Sequence, residues 1–126
     1  METLEIHESG EDYLETILLL ENRVGYVRSI DIATQMGYSK PTISIAMRRL
    51  RESGYIDVDE RRDIRLTALG REVAERIYER HVTLTGVLEA LGVDPETADH
   101  GACKIEHDIS ADTFSKIRQY YNEHIK

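Results

Sequence analysis

Toward its C-terminal end the chain reads Cys103-Lys104-Ile105-Glu106-His107, which places a thiol, a carboxylate and an imidazole within five residues. On a helix these three fall at i, i+3 and i+4, so they project from one face and can reach one divalent ion. Cys103 is the sole cysteine, so no internal disulfide can form, and the thiol is left to be buried, reactive or a ligand. The same residue types also stand on helices as ordinary structural side chains, and spacing alone leaves both readings open. Two further patches bear on the choice. Asp12 and Glu15, three apart, put two carboxylates on one face of an early helix, where they serve either a cation or solubility. His81 sits near the middle of a long helical stretch, a place that a core or boundary histidine also fills.

Periodicity defines the elements that must position these groups. Tyr13, Leu14, Ile17, Leu18 and Leu20 recur at helical spacing, and Asn22 through Gly25 ends that first helix. A short helix follows, with Ser29 as its expected cap, Ile32, Ala33 and Met36 as its apolar face and Gly37 at the turn. The next helix starts at once, capped by Ser39 with Pro41 in its first turn; Ile43, Ala46, Met47 and Leu50 form its buried stripe, and Gly54 stops it. Its exposed face carries Thr42, Ser44, Arg48 and Arg49. That is a helix-turn-helix, whose second helix can enter the major groove. Tyr55 to Asp59 and Ile64 to Leu66 alternate as strands around the polar turn Arg61-Arg62-Asp63, which supplies a wing. Thr67 caps a long helix with Leu69, Val73, Ile77, Leu84, Leu88 and Leu91 in rhythm to Gly92. Asp94-Pro95 opens a helix to about His107, and Ser110 caps a last one carrying Phe114, Ile117, Tyr121 and Ile125.

The expected fold is therefore mainly α: a winged helix-turn-helix with a two-stranded wing over residues 1–67, and a helical metal-binding and dimerisation region over residues 68–126. So short a chain buries little by itself, so the apolar faces of the C-terminal helices are expected to close a homodimer. Two-fold symmetry would then pair two recognition helices on a palindromic duplex.

Charge supports a nucleic-acid partner despite a net charge of −8. Acids dominate on both sides of residues 28–65, but within that window Arg28, Lys40, Arg48, Arg49, Arg51, Arg61, Arg62 and Arg65 outnumber the acids. The contacts expected with DNA are Ser39, Lys40, Pro41, Thr42, Ser44 and Arg48 around the recognition helix, and Arg28, Arg61 and Arg62 on phosphate. The N-terminus METLEIHESGEDY has acids where a secretory signal has cations, and no stretch is apolar enough to span a bilayer, so a cytoplasmic location without membrane attachment is expected. There is no nucleophile elbow, phosphate loop, HExxH or pair of catalytic carboxylates outside the cluster, which reads against an enzyme.

Three stretches, EDYLETI at 11–17, SKPTIS at 39–44 and ACKIEHDIS at 102–110, with LTALG and ERH between them, resemble the diphtheria toxin repressor and manganese transport regulator family over nearly the whole chain. The resemblance implies a metal-dependent repressor of metal-ion homeostasis that answers to Mn2+ or Fe2+, with one or two ions per subunit. It implies that Asp12, Cys103, Glu106 and His107, helped by the Cys103 carbonyl, hold one ion, and that Glu15 and His81, sharing Glu106, hold a second. It further implies that metal fixes the first helix and so sets the spacing of the DNA-binding domains. Asp12 is similar to the manganese branch, whereas Cys103 replaces that branch's glutamate with a softer ligand. Thr85 stands where some members have a further glutamate, with His100 as a possible substitute, and the chain resembles the short form without an extra C-terminal domain. Two rival readings remain at this level: a metal-independent winged-helix regulator answering to a small organic ligand, and a metal-dependent hydrolase.

Overall fold

Gly37 and Gly54, both with positive φ (75° and 87°), are the points where the chain turns out of one helix toward the next element, a backbone region open to glycine at no steric cost. The structure, a computed structural model, describes residues 8–126; residues 1–7, part of the stretch behind the reading of the N-terminus, lie outside the described residues. The chain divides into two compact units, the first ending at Glu75 and the second running from Arg76 to Lys126.

The first unit contains α1 (Glu8–Val24), α2 (Ser29–Met36), α3 (Lys40–Glu52), β1 (Ile56–Val58), β2 (Ile64–Leu66) and the start of α4 (Ala68–Ala90). Its core is built by Leu14 and Ile17 of α1, Val27, Ile32 of α2, Ile43 of α3 and Ile56 of β1, all essentially removed from solvent. Each such side chain stabilises the unit by about 1.5–3 kcal/mol relative to exposure. The two strands pair antiparallel with Ile56 opposite Leu66 and Val58 opposite Ile64. The wing's tip is set by Asp59, whose Oδ1 accepts from the N–H groups of Arg61 and Asp63 at 2.9 Å each, while Arg62 takes a left-handed φ of 69°.

Capping explains where the helices begin. Ser39 Oγ accepts from Thr42 N–H at 3.3 Å and donates to Thr42 Oγ1 at 2.9 Å, as the sequence led us to expect for α3. At α2 the expectation needs correcting: Arg28 is the N-cap and Ser29 the first helical residue. The reason is Asp31, which reaches back from the third helical position to the Arg28 N–H at 2.8 Å and shifts the start by one residue. Thr67 holds the start of α4 against the wing: its hydroxyl donates to Gly54 O at 2.7 Å and accepts from Gly70 N–H at 3.1 Å. Arg71, a turn later, pairs with Glu21 of α1 at 2.9 Å.

The second unit comprises the remainder of α4, α5 (Pro95–Ile105) and α6 (Ala111–His124). Asp94 and Ser110 cap the last two helices, accepting from Thr97 N–H at 3.2 Å and Thr113 N–H at 3.0 Å. Ile77 and Leu84 of α4, Ala98 and Ala102 of α5 and Phe114 of α6 are buried. Tyr78, Val82, Leu91, Ile105 and Tyr120 are large side chains left exposed in this unit.

Candidate metal centre and nucleic-acid face

α5 ends one residue before Glu106, so the Cys103-Glu106-His107 group does not lie wholly on a helix as its spacing suggested: Glu106 is the C-cap and His107 stands in the turn beyond. Arg80 of α4 explains the break. Its buried guanidinium donates to Glu106 O at 3.0 Å and Ile109 O at 2.8 Å, taking carbonyls that a continuing helix would have used, and stacks 5.3 Å from the centre of the Phe114 ring. Glu106 keeps helical dihedrals and stays in phase with Cys103.

The result is a compact donor set inside the second unit. His81, Cys103 and Glu106 each offer a ligand atom, and these atoms lie within 4.8 Å of one another. His81 Nδ1 is 2.9 Å from Glu106 Oε1 and 3.8 Å from Cys103 Sγ. The Glu106 carboxylate is completely buried, and among the described residues its Oε2 has no hydrogen-bond donor; His107 Nε2, on a side chain 2% exposed, lies 3.5 Å from it. A buried carboxylate is costly unless a positive charge meets it. Here the charge is borrowed from His81, where hydrogen bonding to Cys103 and Glu106, and to Asp99, outweighs burial and pushes the pKa from 6.5 up to about 11. Nitrogen, sulfur and carboxylate oxygen converging on one point, with an oxygen lacking a donor, fit a divalent transition metal.

Asp99 was not singled out by the sequence. Its Oδ1 lies 2.7 Å from His81 Nε2; the neighbouring His100, considered as a substitute for the glutamate absent at Thr85, is exposed. The signal was available in helical phase: Asp99 precedes Cys103 by four residues and Glu106 by seven, on the same face of α5. In the first unit, Asp12 and Glu15 lie half-buried, three apart on α1. Thr85 is half-buried, and its hydroxyl is among the buried polar atoms without a hydrogen-bond partner.

The face expected to meet nucleic acid is also in the first unit. Ser39, Lys40, Pro41, Thr42, Ser44 and Arg48 are all exposed along α3, opposite its buried Ile43, Met47 and Leu50. Arg61 and Arg62 are exposed at the wing tip. Arg28 is differently placed: its Nε donates to Asp63 Oδ1 at 2.9 Å, so its charge is engaged by the wing. Among the described residues no helix is long and apolar enough to cross a membrane.

Residues 5–64 match the family model for the N-terminal DNA-binding domain of iron-dependent repressors, and residues 67–124 match the model for their metal-binding and dimerisation domain. The chain is 36% identical over 114 residues to the transcriptional regulator MntR of Escherichia coli O6:H1, covering 90% of this chain and 74% of that protein. It is 31% identical over 119 residues to the HTH-type transcriptional regulator MntR of Listeria monocytogenes serotype 4a, covering 92% and 84%. Among solved structures, a manganese-dependent transcriptional repressor in complex with manganese superposes with a TM-score of 0.81 at 27% identity over 90% of this chain. The manganese regulator SloR shares the fold, with a TM-score of 0.80 at 24% identity over 90% of this chain. The chain spans about half the length of these two solved chains, 52% and 53%.

Proposed function

Since the chain belongs to the iron-dependent repressor family, we propose that it is a homodimeric transcriptional repressor of metal-ion homeostasis in the cytoplasm, which binds a palindromic DNA operator when loaded with Mn2+ or Fe2+. The observation that carries this reading is Glu106, a fully buried carboxylate with one oxygen short of a donor, set beside the His81 imidazole and the Cys103 sulfur in the unit matched to the metal-binding domain. By the resemblance, Asp12, Cys103, Glu106 and His107 hold one ion, and Glu15 and His81 with Glu106 hold a second. A bound cation supplies the positive charge that brings these carboxylates together. Ser39, Lys40, Pro41, Thr42, Ser44 and Arg48 are proposed to meet the major groove, and Arg61 and Arg62 the phosphates, with Arg28 holding the wing. Residues 1–67 form the DNA-binding domain in this proposal, and the exposed apolar side chains of residues 68–126 supply the dimer interface.

The coupling needs no contact between metal and DNA. An ion that prefers the DNA-competent arrangement raises operator affinity by that preference, and DNA raises metal affinity by the same factor. The test is titration of chelator-stripped protein with Mn2+, Fe2+ and Zn2+, reading metal stoichiometry together with affinity for a selected palindromic duplex. Metal should tighten DNA binding, Asp12→Ala, Glu106→Ala and His107→Ala should abolish the gain, and the ranking of metals should settle the pull of hard Asp12 against soft Cys103. Equal DNA affinity with and without metal would overturn the proposal.

A further inference from the structure

The two ring nitrogens of His81 have different surroundings. Nδ1 faces the donor set, 2.9 Å from Glu106 Oε1 and 3.8 Å from Cys103 Sγ. Nε2 faces the opposite way, onto Asp99 Oδ1 at 2.7 Å, a hydrogen-bond length. A neutral imidazole has one lone pair to give a metal, and its other nitrogen carries the proton. Only Nδ1 points at the other donors, so a metal-bound His81 must carry its proton on Nε2. We propose that Asp99 is the positioning residue of this centre: it accepts the Nε2–H, fixes the tautomer with the lone pair on Nδ1, and holds the ring plane toward Cys103 and Glu106. This inference rests on the metal-site reading above.

Two features make the assignment specific. Asp99, Cys103 and Glu106 follow one stripe of α5 at spacings of four and three, so a single helix presents both ligands and the group that orients the third. Asp99 is also 64% exposed, whereas His81 is 16% exposed, so the carboxylate contributes little to packing while the ring it holds is enclosed. A carboxylate behind a ligating imidazole raises its basicity and locks its orientation, and loss of such a partner weakens metal binding by about 10–100-fold.

The experiment compares wild type, Asp99→Ala and Asp99→Asn as full-length, chelator-stripped chains. Cobalt(II) titration reads affinity and, through the sulfur-to-cobalt charge-transfer band, ligation by Cys103. Nitrogen-15 spectra of the zinc-loaded proteins read which His81 nitrogen carries the proton. The wild type should show the sulfur band and an exchange-protected Nε2–H. Asp99→Ala should lose that protection and bind cobalt about 10–100-fold more weakly, while the metal-free chain still unfolds in a cooperative melt. Asp99→Asn keeps an acceptor oxygen and should retain the tautomer with an intermediate affinity, a rescue that packing alone would not produce. Asp99→Ala matching the wild type in affinity and tautomer would overturn the proposal. So would a metal on Nε2 with one ion fewer in Asp99→Ala, which would make Asp99 a ligand. Both results leave the site reading standing if the wild type shows the sulfur band; wild-type protein that takes up cobalt without that band removes the site reading and this proposal with it.

Discussion

Gly70 and Gly101 are both helical glycines, and the same substitution at the two should have opposite effects. A Cβ built on Gly70 would lie 2.0 Å from the Tyr55 carbonyl oxygen and 3.0 Å from its carbon, both backbone atoms. Tyr55 leads into β1, and its carbonyl accepts from Thr67 N–H at 3.1 Å, so it cannot retreat by more than an ångström without loosening the junction of wing and α4. Overpacking of this kind costs about 1–3 kcal/mol, and the strained hydrogen bond adds about 1 kcal/mol. The better helix propensity of alanine offsets about 1 kcal/mol. A net loss of about 1–3 kcal/mol lowers the melting midpoint of a unit this size by on the order of 10 °C. At Gly101 the nearest atom is Leu88 Cδ1 at 3.5 Å, an ordinary contact, so alanine there should gain about 0.5–1 kcal/mol. Circular dichroism melts of the two variants, with calorimetry to separate the units, measure both. Gly70→Ala should also lose DNA affinity while still taking up cobalt at His81 and Cys103, since the damage lies in the first unit. A Gly70→Ala protein as stable as the wild type would refute the close approach of α4 to Tyr55 and the account of why LTALG ends in glycine.

The wing arginines should separate by salt dependence. Arg61→Ala is expected to weaken binding to all duplexes and to reduce the slope of log affinity against log salt by about 0.9. Arg28→Ala should weaken binding with little change in slope, because that charge is engaged by Asp63. Asp63→Asn should weaken it too, although removing an acid near DNA would on charge alone strengthen it, and the double variant should be no worse than either single one. Full additivity would show that Arg28 acts on phosphate. Metal uptake should depend on pH through His81. Its pKa is raised above 6.5 to about 11, so the proton's stabilising pairing is fully present below 6.5 and is lost as pH rises through about 11; throughout that range a metal must displace the proton. Affinity should therefore rise about tenfold per pH unit on account of this group, and calorimetry in buffers of different ionisation enthalpy should show one fewer proton released by His81→Ala than by wild type. An unchanged proton count would remove His81 from the centre.

The helices and the wing were legible in the sequence because their signals are local: the cap at Ser39, the apolar stripe of α3 and the alternation around Arg61-Arg62 each act within a few residues. What escaped was set by partners distant in sequence. Ser29 has the chemistry of a cap, but Asp31 competes for the same start and wins by reaching the Arg28 N–H. The helix read to about His107 ends at Ile105, where Arg80, more than twenty residues earlier, takes the carbonyls of Glu106 and Ile109. The pairing of Arg28, expected on phosphate, with Asp63 across the wing's base joins residues 35 apart and has no local signal. Asp99 meets His81 from another helix, about 100° around α5 from its neighbour His100, a juxtaposition that local spacing does not show.

The state of Glu106 without metal bears on why such a centre can act as a switch instead of a structural clamp. A buried carboxylate with no compensating charge would destabilise the second unit severely. In this chain a protonated His81, held by Cys103, Glu106 and Asp99, supplies a positive charge beside it. The proton answers only the demand for charge. The protonated ring faces Asp99 at Nε2 and both Glu106 and Cys103 at Nδ1, and among the described residues Glu106 Oε2 is left without a donor. A divalent ion brings a second charge and several coordination positions, more than the three donors His81, Cys103 and Glu106 fill. Replacing the proton by the ion therefore adds charge and open coordination positions at the same three donors. If operator affinity rises 100-fold on loading, the ion must prefer the DNA-competent arrangement by about 2.7 kcal/mol. That is a small share of the free energy of binding a transition metal, and it can be withdrawn without unfolding the protein.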